Sequence, residues 1–275
     1  MSNLRIIYNN IADKASSVTA STTAGSLTVA NLKTDIKGQV HRSTGTSVTY
    51  TLQWTTSQDI SAVVIPACNL TETATIRVQA WDAVSAGVLL LDTGTNLACP
   101  GLNVTSSDFS TSINASLFGF GAASKAYSWF NLTSGVKLLQ IDIVDTGNPA
   151  GYIDCARLIV GNYWSPSHNA SFGASISLED SSTVVRTDAG GISVNRAPFL
   201  ETMTFEFNWL LESDRKELDR ITKLSGSFKP ILISLLPDWN DASVIQSSTI
   251  YGVRKLSPFS ILPSVWQNSI TIESW

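Results

Sequence analysis

The chain has 275 residues, a net charge of −4 and a pI near 5.2. Charged residues form 15% of it, against roughly 25% in an average soluble domain. Because the net charge is negative and no Lys/Arg cluster forms a basic patch, we expect no nucleic-acid partner. No apolar run approaches the roughly 20 residues that span a bilayer, and the start lacks the pattern of a signal peptide. We therefore predict that the protein is synthesised in the cytoplasm and does not insert into a membrane.

Alternating apolar and polar residues predict strands in the first two-thirds of the chain. VTYTLQW places Val48, Tyr50, Leu52 and Trp54 on one face of a half-buried strand. TATIRVQAWD alternates in the same way. ISAVVIPACN, a more continuous apolar run, predicts another strand. A Ser/Gly/Asn-rich insertion lies at residues 96–133, and two further strands are predicted after it, in VKLLQIDIVD and YIDCARLIVG. Many short strands separated by turn signals predict a β-sandwich.

The C-terminal part follows a different pattern. TFEFNWL alternates as a strand, with Phe205, Phe207 and Trp209 on one face, and SDRKELDRITKL then changes to helical spacing. Ser213 is the predicted N-cap, and Gly226 stands where a helix end favours positive φ. Three more strands are predicted in KPILISLL, STIYGVRKL and NSITIESW.

These patterns predict a mainly β protein with two domains. Residues 1–182 would form a β-sandwich. Residues 183–275 would form a smaller α+β module with one helix near residues 213–225.

Two Asp-Thr-Gly triplets, at Asp92 and Asp145, raise the question of an aspartic protease. That chemistry needs two carboxylates about 3 Å apart that share one proton. The triplets are too close in sequence for each to belong to its own lobe, and the second continues as Asn148-Pro149. Local turns, in which the Asp accepts backbone N–H bonds and Gly94 takes positive φ, account for both sites. A structural Ca²⁺ at either turn stays open as an alternative.

No other catalytic or metal-binding pattern is present. His41 and His168 lack a second ligand at metal spacing, and Cys68, Cys99 and Cys155 are predicted to be reduced, buried residues. The sequence contains no Gly-X-Ser-X-Gly elbow and no phosphate-binding glycine loop. We therefore predict a protein that is not an enzyme, with no catalytic residues, no metal and no cofactor.

The aromatic residues give the best candidates for a binding role, because Trp and Tyr stack on sugars and anchor protein contacts. Strand phase predicts that Trp54 and Trp209 are core residues. Five other aromatics lie in loop-like contexts. The glycan-binding candidates are Tyr127, Trp129 and Trp164, and the assembly-interface candidates are Trp239 and Trp266.

The order of elements over roughly residues 1–180 resembles the galactose-binding-like jelly rolls, which include discoidin-like domains. The resemblance lies in Asn31-Leu32, Arg42-Ser43, VTYTLQW, ISAVVIPACNL, TIRVQAWD, LLQIDIV and YIDCARLIVGNYWSP. It implies glycan binding through loops at one end of the sandwich.

The run FEFNWLLESDRKELDRI, followed by KPILISLLPD and STIYGV, resembles the strand–helix–strand modules of phage distal-tail and minor tail proteins. This resemblance implies a structural component of the tail tip or baseplate of a virion. Its partners would be copies of itself in a ring, the tail tube and hub proteins, and a host glycan. A carbohydrate-binding module used in host adsorption is the alternative function.

Overall fold

The computed structural model describes residues 3–85, 87–100, 124–180, 182–186, 188, 190–195, 199–261 and 265–275. Much of the insertion predicted at residues 96–133 therefore lies outside the described residues. The described part confirms a mainly β fold, with a β-sandwich and a smaller α+β module.

The sandwich is built on two long antiparallel strands, β4 and β8. Their pairing is interrupted by register shifts between Gln53 and Ala62 on β4, and again between Ile65 and Cys68. Such irregularities bend a strand pair, and both ends of β4 enter one core. The paired strands run in the order β3-β9-β4-β8-β5-β6, with β2 and β10 also on β4 and β7 on β5. The strands are β2 (Ser17–Ala20), β3 (His41–Arg42), β4 (Ser47–Cys68), β5 (Thr75–Trp81), β6 (Leu89–Asp92), β7 (Asn96–Leu97), β8 (Ser124–Val144), β9 (Asp154–Cys155) and β10 (Ile159–Gly161).

The alternation seen in the sequence explains the sandwich core. Val48, Tyr50, Leu52 and Trp54 are all buried in it, as the period-2 pattern predicts. The predicted strands VTYTLQW and ISAVVIPACN are one continuous strand, β4. Two short 3-10 helices, Ala12–Lys14 and Val29–Lys33, add residues to the same core.

The second sheet has seven strands in the order β1-β15-β16-β18-β14-β11, with β17 also on β18. Its strands are β1 (Arg5–Ile7), β11 (Ser175–Asp180), β14 (Phe199–Leu210), β15 (Ile231–Ser234), β16 (Thr249–Lys255), β17 (Phe259–Ile261) and β18 (Trp266–Ser274). A separate hairpin pairs β12 (Thr183–Arg186) with β13 (Ile192–Asn195).

Helix α1 (Glu212–Ser225) covers one face of the second sheet. Its Leu218 and Ile221 are buried against Phe205 and Phe207, whereas Leu224 stays half exposed. The helix ends at Gly226, whose φ of 54° confirms the prediction for that position. The prediction that Ser213 is the N-cap is wrong: the N-cap is Leu211, two residues earlier, and no side chain caps the helix.

Two other features differ from the prediction. A second helix, α2 (Ala242–Ser247), begins at Asp241, whose side chain accepts a hydrogen bond from the Ser243 backbone N–H. Trp209 is 65% exposed because a β-bulge between Phe207 and Leu210 reverses the phase, so that Leu210 enters the core instead.

Two strands of the predicted 1–182 domain join the sheet formed by the C-terminal strands. β1 pairs with β15, and β11 pairs with β14. The pairing of β1 follows from its burial, since Leu4 and Ile6 pack in the core under α1. The boundary between residues 182 and 183 remains a prediction.

The second sheet packs against the sandwich through a buried cluster that we call the junction. Ala62, Val64 and Ile159 contribute from the sandwich. Leu232 and Tyr251 are among the residues that contribute from the second sheet. This double burial explains the continuous apolar run of β4, because Val63 and Ile65 face the sandwich core while Ala62 and Val64 face the junction.

An ion-pair network reinforces the junction. Arg157, whose side chain is only 3% exposed, binds both carboxylate oxygens of Asp13 at 2.6 and 2.7 Å and lies 3.0 Å from Asp35. Tyr251 of the second sheet donates to the same Asp35 at 2.6 Å. The network therefore joins the 3-10 helices of the sandwich to strand β16.

No helix among the described residues has both the length and the apolar character needed to cross a membrane.

We expect Arg157→Ala to lower the free energy of unfolding by about 1–3 kcal/mol, because it removes a buried guanidinium together with its ion pairs to Asp13 and Asp35, whose carboxylates are 34% and 44% exposed. Urea unfolding followed by tryptophan fluorescence measures this change. Lys223→Ala is the control, since it breaks an exposed pair with Asp219 on α1. Equal losses for the two variants would contradict a special role for the network.

Candidate functional site

The first Asp-Thr-Gly triplet forms a turn at the end of β6. The carboxylate of Asp92 accepts from the backbone N–H of Gly94 at 2.9 Å, and Gly94 has φ 65°. Both observations confirm the predicted turn chemistry. Arg77 binds the same carboxylate through two nitrogens, at 2.9 and 2.5 Å, and this ion pair holds the pKa of Asp92 far below its usual range.

The second triplet is a buried turn of a different kind from the one predicted, since Gly147 does not take positive φ and no backbone N–H of the triplet donates to the Asp145 carboxylate. Asp145 is 1% exposed, and its carboxylate accepts from the Thr71 N–H at 2.9 Å, the Thr71 hydroxyl at 2.7 Å and the Asn148 amide at 3.0 Å. Both of its oxygens are therefore engaged by protein donors.

The sheet register separates the two aspartates. Gln79 pairs with Asp92 on one side and with Gln140 on the other, so Asp92 is level with Gln140. Asp145 comes five residues after Gln140 in the sequence, which along an extended strand is about 17 Å. A shared-proton dyad needs about 3 Å, so the aspartic-protease hypothesis is wrong for this pair.

The buried histidine and cysteines belong to the sandwich core. His41 lies 2.9 Å from the Tyr50 hydroxyl through Nδ1 and 3.1 Å from the Thr22 carbonyl through Nε2, and burial lowers its pKa. The three cysteines are free and buried, as predicted. Burial raises the pKa of the Cys99 and Cys155 thiols well above their usual range, which keeps both protonated and unreactive.

Within the described ranges, no group of three or more His, Cys, Asp or Glu side chains is placed to hold a metal ion. At Asp92 the guanidinium of Arg77 already provides the positive charge, and at Asp145 protein donors engage both oxygens. Neither triplet therefore offers an open carboxylate ligand for Ca²⁺.

Two of the three glycan-binding candidates, Tyr127 and Trp129, border one groove. We call this space, of about 770 Å³, the Trp129 groove. Both residues belong to the long strand β8, not to a loop. The rest of the groove is lined mainly by Leu90, Leu91, Leu97, Phe130, Asn96, Asn131 and Asp238.

Other protein side chains already contact the aromatic rings in the Trp129 groove. Tyr127 is 8% exposed and packs in the junction, where burial raises its pKa to about 12. The Arg5 guanidinium lies 5.1 Å from the Trp129 ring centroid, and the Tyr163 ring meets Trp129 edge-on at 5.7 Å. Asp238 is paired with Arg5 at 2.7 Å.

The third candidate, Trp164, borders a different space. This space of about 440 Å³, which we call the Trp164 cleft, lies between the sandwich and α1. Trp164 is partly buried against the core under α1, and its backbone N–H and C=O bond to those of Ile6 at 2.8 Å each. The other lining residues are Tyr8, Asn9, Ile11, Ser57, Gln58, Asp59, Asn162, Tyr163, Glu217 and Arg220.

One wall of the Trp164 cleft carries hydrogen-bonding groups that the protein itself does not use. The Asn162 Oδ1 accepts from Ser61 at 2.9 Å, and the Asn9 Oδ1 accepts from Lys14 at 2.8 Å. The amide nitrogens of both residues have no hydrogen bond to any described residue. The same holds for the Asp59 carboxylate and for Oε1 of Gln58, whose nitrogen donates to Thr56. Free donors and free acceptors therefore occur together.

The opposite wall is a fixed network on α1. The Tyr8 hydroxyl donates to Glu217 at 2.9 Å, and Arg220 donates to the same hydroxyl and lies 3.4 Å from Glu217. Burial, and next the bond to Glu217, raise the pKa of Tyr8, so the phenol keeps its proton. The charged residues that line the cleft are Asp59, Glu217 and Arg220, so the lining has a net charge of −1.

The assembly-interface candidates lie elsewhere. Trp239 is 42% exposed in the loop before α2. Trp266 is partly buried, pairs with Leu210 and Ile261, and has the Arg215 guanidinium 4.7 Å from its ring centroid. Their role in assembly stays a prediction.

Trp164 is a candidate named from the sequence, but none of the polar residues that line the same cleft is. Asn9, Asp59 and Asn162 come from three distant segments, and each is a common loop residue. The adjacent aromatic pair Tyr163-Trp164 was the only local signal.

No family model matches the sequence, and no curated protein matches it. Among solved structures, it is similar to chitosan-binding module 1 of a chitosanase/glucanase from Paenibacillus sp. IK-5, with 13% identity and a TM-score of 0.38 over 55% of this chain and 98% of that one. It is also similar to a CBM32 module from Clostridium perfringens in complex with GalNAc-β-1,3-galactose, with 10% identity and a TM-score of 0.37 over 56% and 99% of the two chains. A fucose-binding module from Streptococcus pneumoniae gives 10% identity and a TM-score of 0.36, over 56% of this chain and 94% of that one.

We expect Asp145→Ala to destabilise the protein by about 2–3 kcal/mol, because it leaves the buried donors of Thr71 and Asn148 without an acceptor. Asp92→Ala should cost less, since its partner Arg77 can turn to water. Thermal unfolding of the two variants measures the difference. A larger loss for Asp92→Ala would contradict the different roles assigned to the two turns.

Proposed function

We propose that the chain binds a glycan in the Trp164 cleft. The observation that carries this proposal is the set of free donors and acceptors on Asn9, Asn162, Gln58 and Asp59 beside an indole. A sugar hydroxyl both donates and accepts, so a wall that offers both kinds of group matches it. The apolar face of a pyranose packs on an aromatic ring, which Trp164 provides.

The charge of the cleft favours a neutral glycan. Asp59 and Glu217 outweigh Arg220, and Arg220 is already engaged with Tyr8 and Glu217. A sialic or uronic acid would bring a carboxylate toward this negative lining, where like charges repel. The Trp129 groove is the weaker site because Arg5 and Tyr163 already contact its indole.

A structural role in a virion is the second proposal. Exposed apolar side chains on the hairpin β12–β13 favour it, with Val184, Ile192 and Val194 each 60 or 61% exposed. Exposed apolar clusters mark surfaces that contact other proteins. The chain would then assemble with copies of itself, the tail tube and hub proteins at the tail tip, and the Trp164 cleft would contact host glycans.

Asn162→Ala should weaken the binding of a neutral oligosaccharide about tenfold, which corresponds to the loss of one hydrogen bond worth about 1.4 kcal/mol. An array of neutral and sialylated glycans selects the ligand, and isothermal titration calorimetry then measures Kd. Asn131→Ala is the matched control, because it removes an exposed amide in the Trp129 groove.

Two results would overturn the proposal of a cleft site. One is that no neutral glycan binds at millimolar concentration. The other is that Asn131→Ala weakens binding while Asn162→Ala does not, which would move the site to the Trp129 groove.

A further inference from the structure

The outer strand of the second sheet is exposed along its whole length. All six residues of β11 are exposed, including Ile176 at 44% and Leu178 at 69%. Among the described strands, only β14 pairs with it. Such an edge presents backbone donors and acceptors that can bind another strand. β11 also contains no proline and no lysine, the residues that commonly block edge pairing.

The other edge of the same sheet is closed. The backbone N–H and C=O of Ile6 on β1 bond to Trp164 at 2.8 Å each. A head-to-tail arrangement, with β11 of one molecule on β1 of the next, would have to break these bonds. The exposed edge therefore favours a partner that also presents β11.

We propose that β11 pairs in the antiparallel direction with β11 of a second copy of this chain, centred on Ser177. This association does not depend on glycan binding. With Ser177 opposite its own counterpart, Ile176 lies opposite the partner's Leu178. Ser175 lies opposite the partner's Glu179. Apolar residues then meet on one face and polar residues on the other, as the alternation of the strand requires.

Other registers fit less well. The competing antiparallel registers differ by two residues, because opposed residues must have side chains on the same face. A centre at Leu178 places Ile176 opposite the partner's Asp180, which puts a carboxylate against an aliphatic side chain. A centre at Ile176 shortens the paired part of β11 to Ser175–Ser177. Parallel pairing in register places Glu179 beside the partner's Glu179, and like charges in adjacent positions are destabilising. The residue pattern of β11 is therefore complementary to itself in the antiparallel register centred on Ser177.

The hairpin that follows β11 supports a macromolecular partner. Val184 lies opposite Val194 in β12–β13, and Ile192 shares their face. All three are about three-fifths exposed. Isolated two-stranded hairpins are marginally stable in water, so the hairpin gains stability if a second copy covers this face.

Cysteine cross-linking tests the register directly. In the proposed pair, the two Ser177 positions lie directly opposite, with Cβ atoms about 5 Å apart, within reach of a disulfide after a small adjustment. The two Ser175 positions lie about 13 Å apart along the strands, too far for a disulfide. Ser177→Cys should therefore form a covalent dimer on mild oxidation, whereas Ser175→Cys should not. The native cysteines are fully buried and give little background.

Light scattering during gel filtration of the unmodified chain supplies an independent measurement. We expect a concentration-dependent dimer that Leu178→Lys abolishes and Leu132→Lys leaves intact, because Leu132 is 56% exposed on β8, outside both β11 and the hairpin β12–β13. Equal cross-linking of the two serine variants would overturn the register. A monomeric mass at every concentration, or association only with a different protein, would overturn the proposal itself.

Discussion

The packing of the second sheet on the outer face of β4 determines the architecture of this protein. Because β1 comes early in the chain but pairs with β15, the chain enters the second sheet before it builds the sandwich. The junction then buries β4 on both faces, and Arg157 adds a buried ion pair beside it. The Trp164 cleft exists because this packing brings the sandwich and α1 to opposite sides of one space.

Sequence periodicity predicted long strands such as β4, β5 and β14 because each has at least one face in a core. Val48 to Trp54 illustrate the case in which strand phase is sufficient. The same reasoning is wrong at Trp209, because one extra residue in a bulge moves every later side chain to the other face. Bulges depend on how two strands pair, so the sequence of one strand does not reveal them. The entry of β1 into the second sheet is hidden for the same reason.

The candidate site was only partly accessible to sequence analysis. Selecting aromatic residues outside clear strand patterns gave three candidates for glycan binding. Two of them lie on strand β8, where Tyr127 packs in the junction and Trp129 is covered by Arg5. Around Trp164 the unused polar groups belong to side chains that line the cleft, such as Asn162 and Asp59. The Tyr127 hydroxyl and the Trp129 indole nitrogen also lack hydrogen-bond partners among the described residues, but both atoms are buried. Hydrogen-bond satisfaction is a property of the folded arrangement, and no spacing in the sequence encodes it.

Trp164 also connects the two proposals through the second sheet. Its backbone closes the β1 edge while its side chain lines the cleft, so the residue that would contact the glycan also blocks growth of the sheet on that side. The unpaired edge lies at the opposite end of the strand order, at β11. Two chains paired there would have their clefts at the outer ends of one continuous sheet. A glycan-bearing surface could then be contacted twice, and bivalent attachment raises the avidity of weak sites without any new contact, provided that the surface spans both clefts.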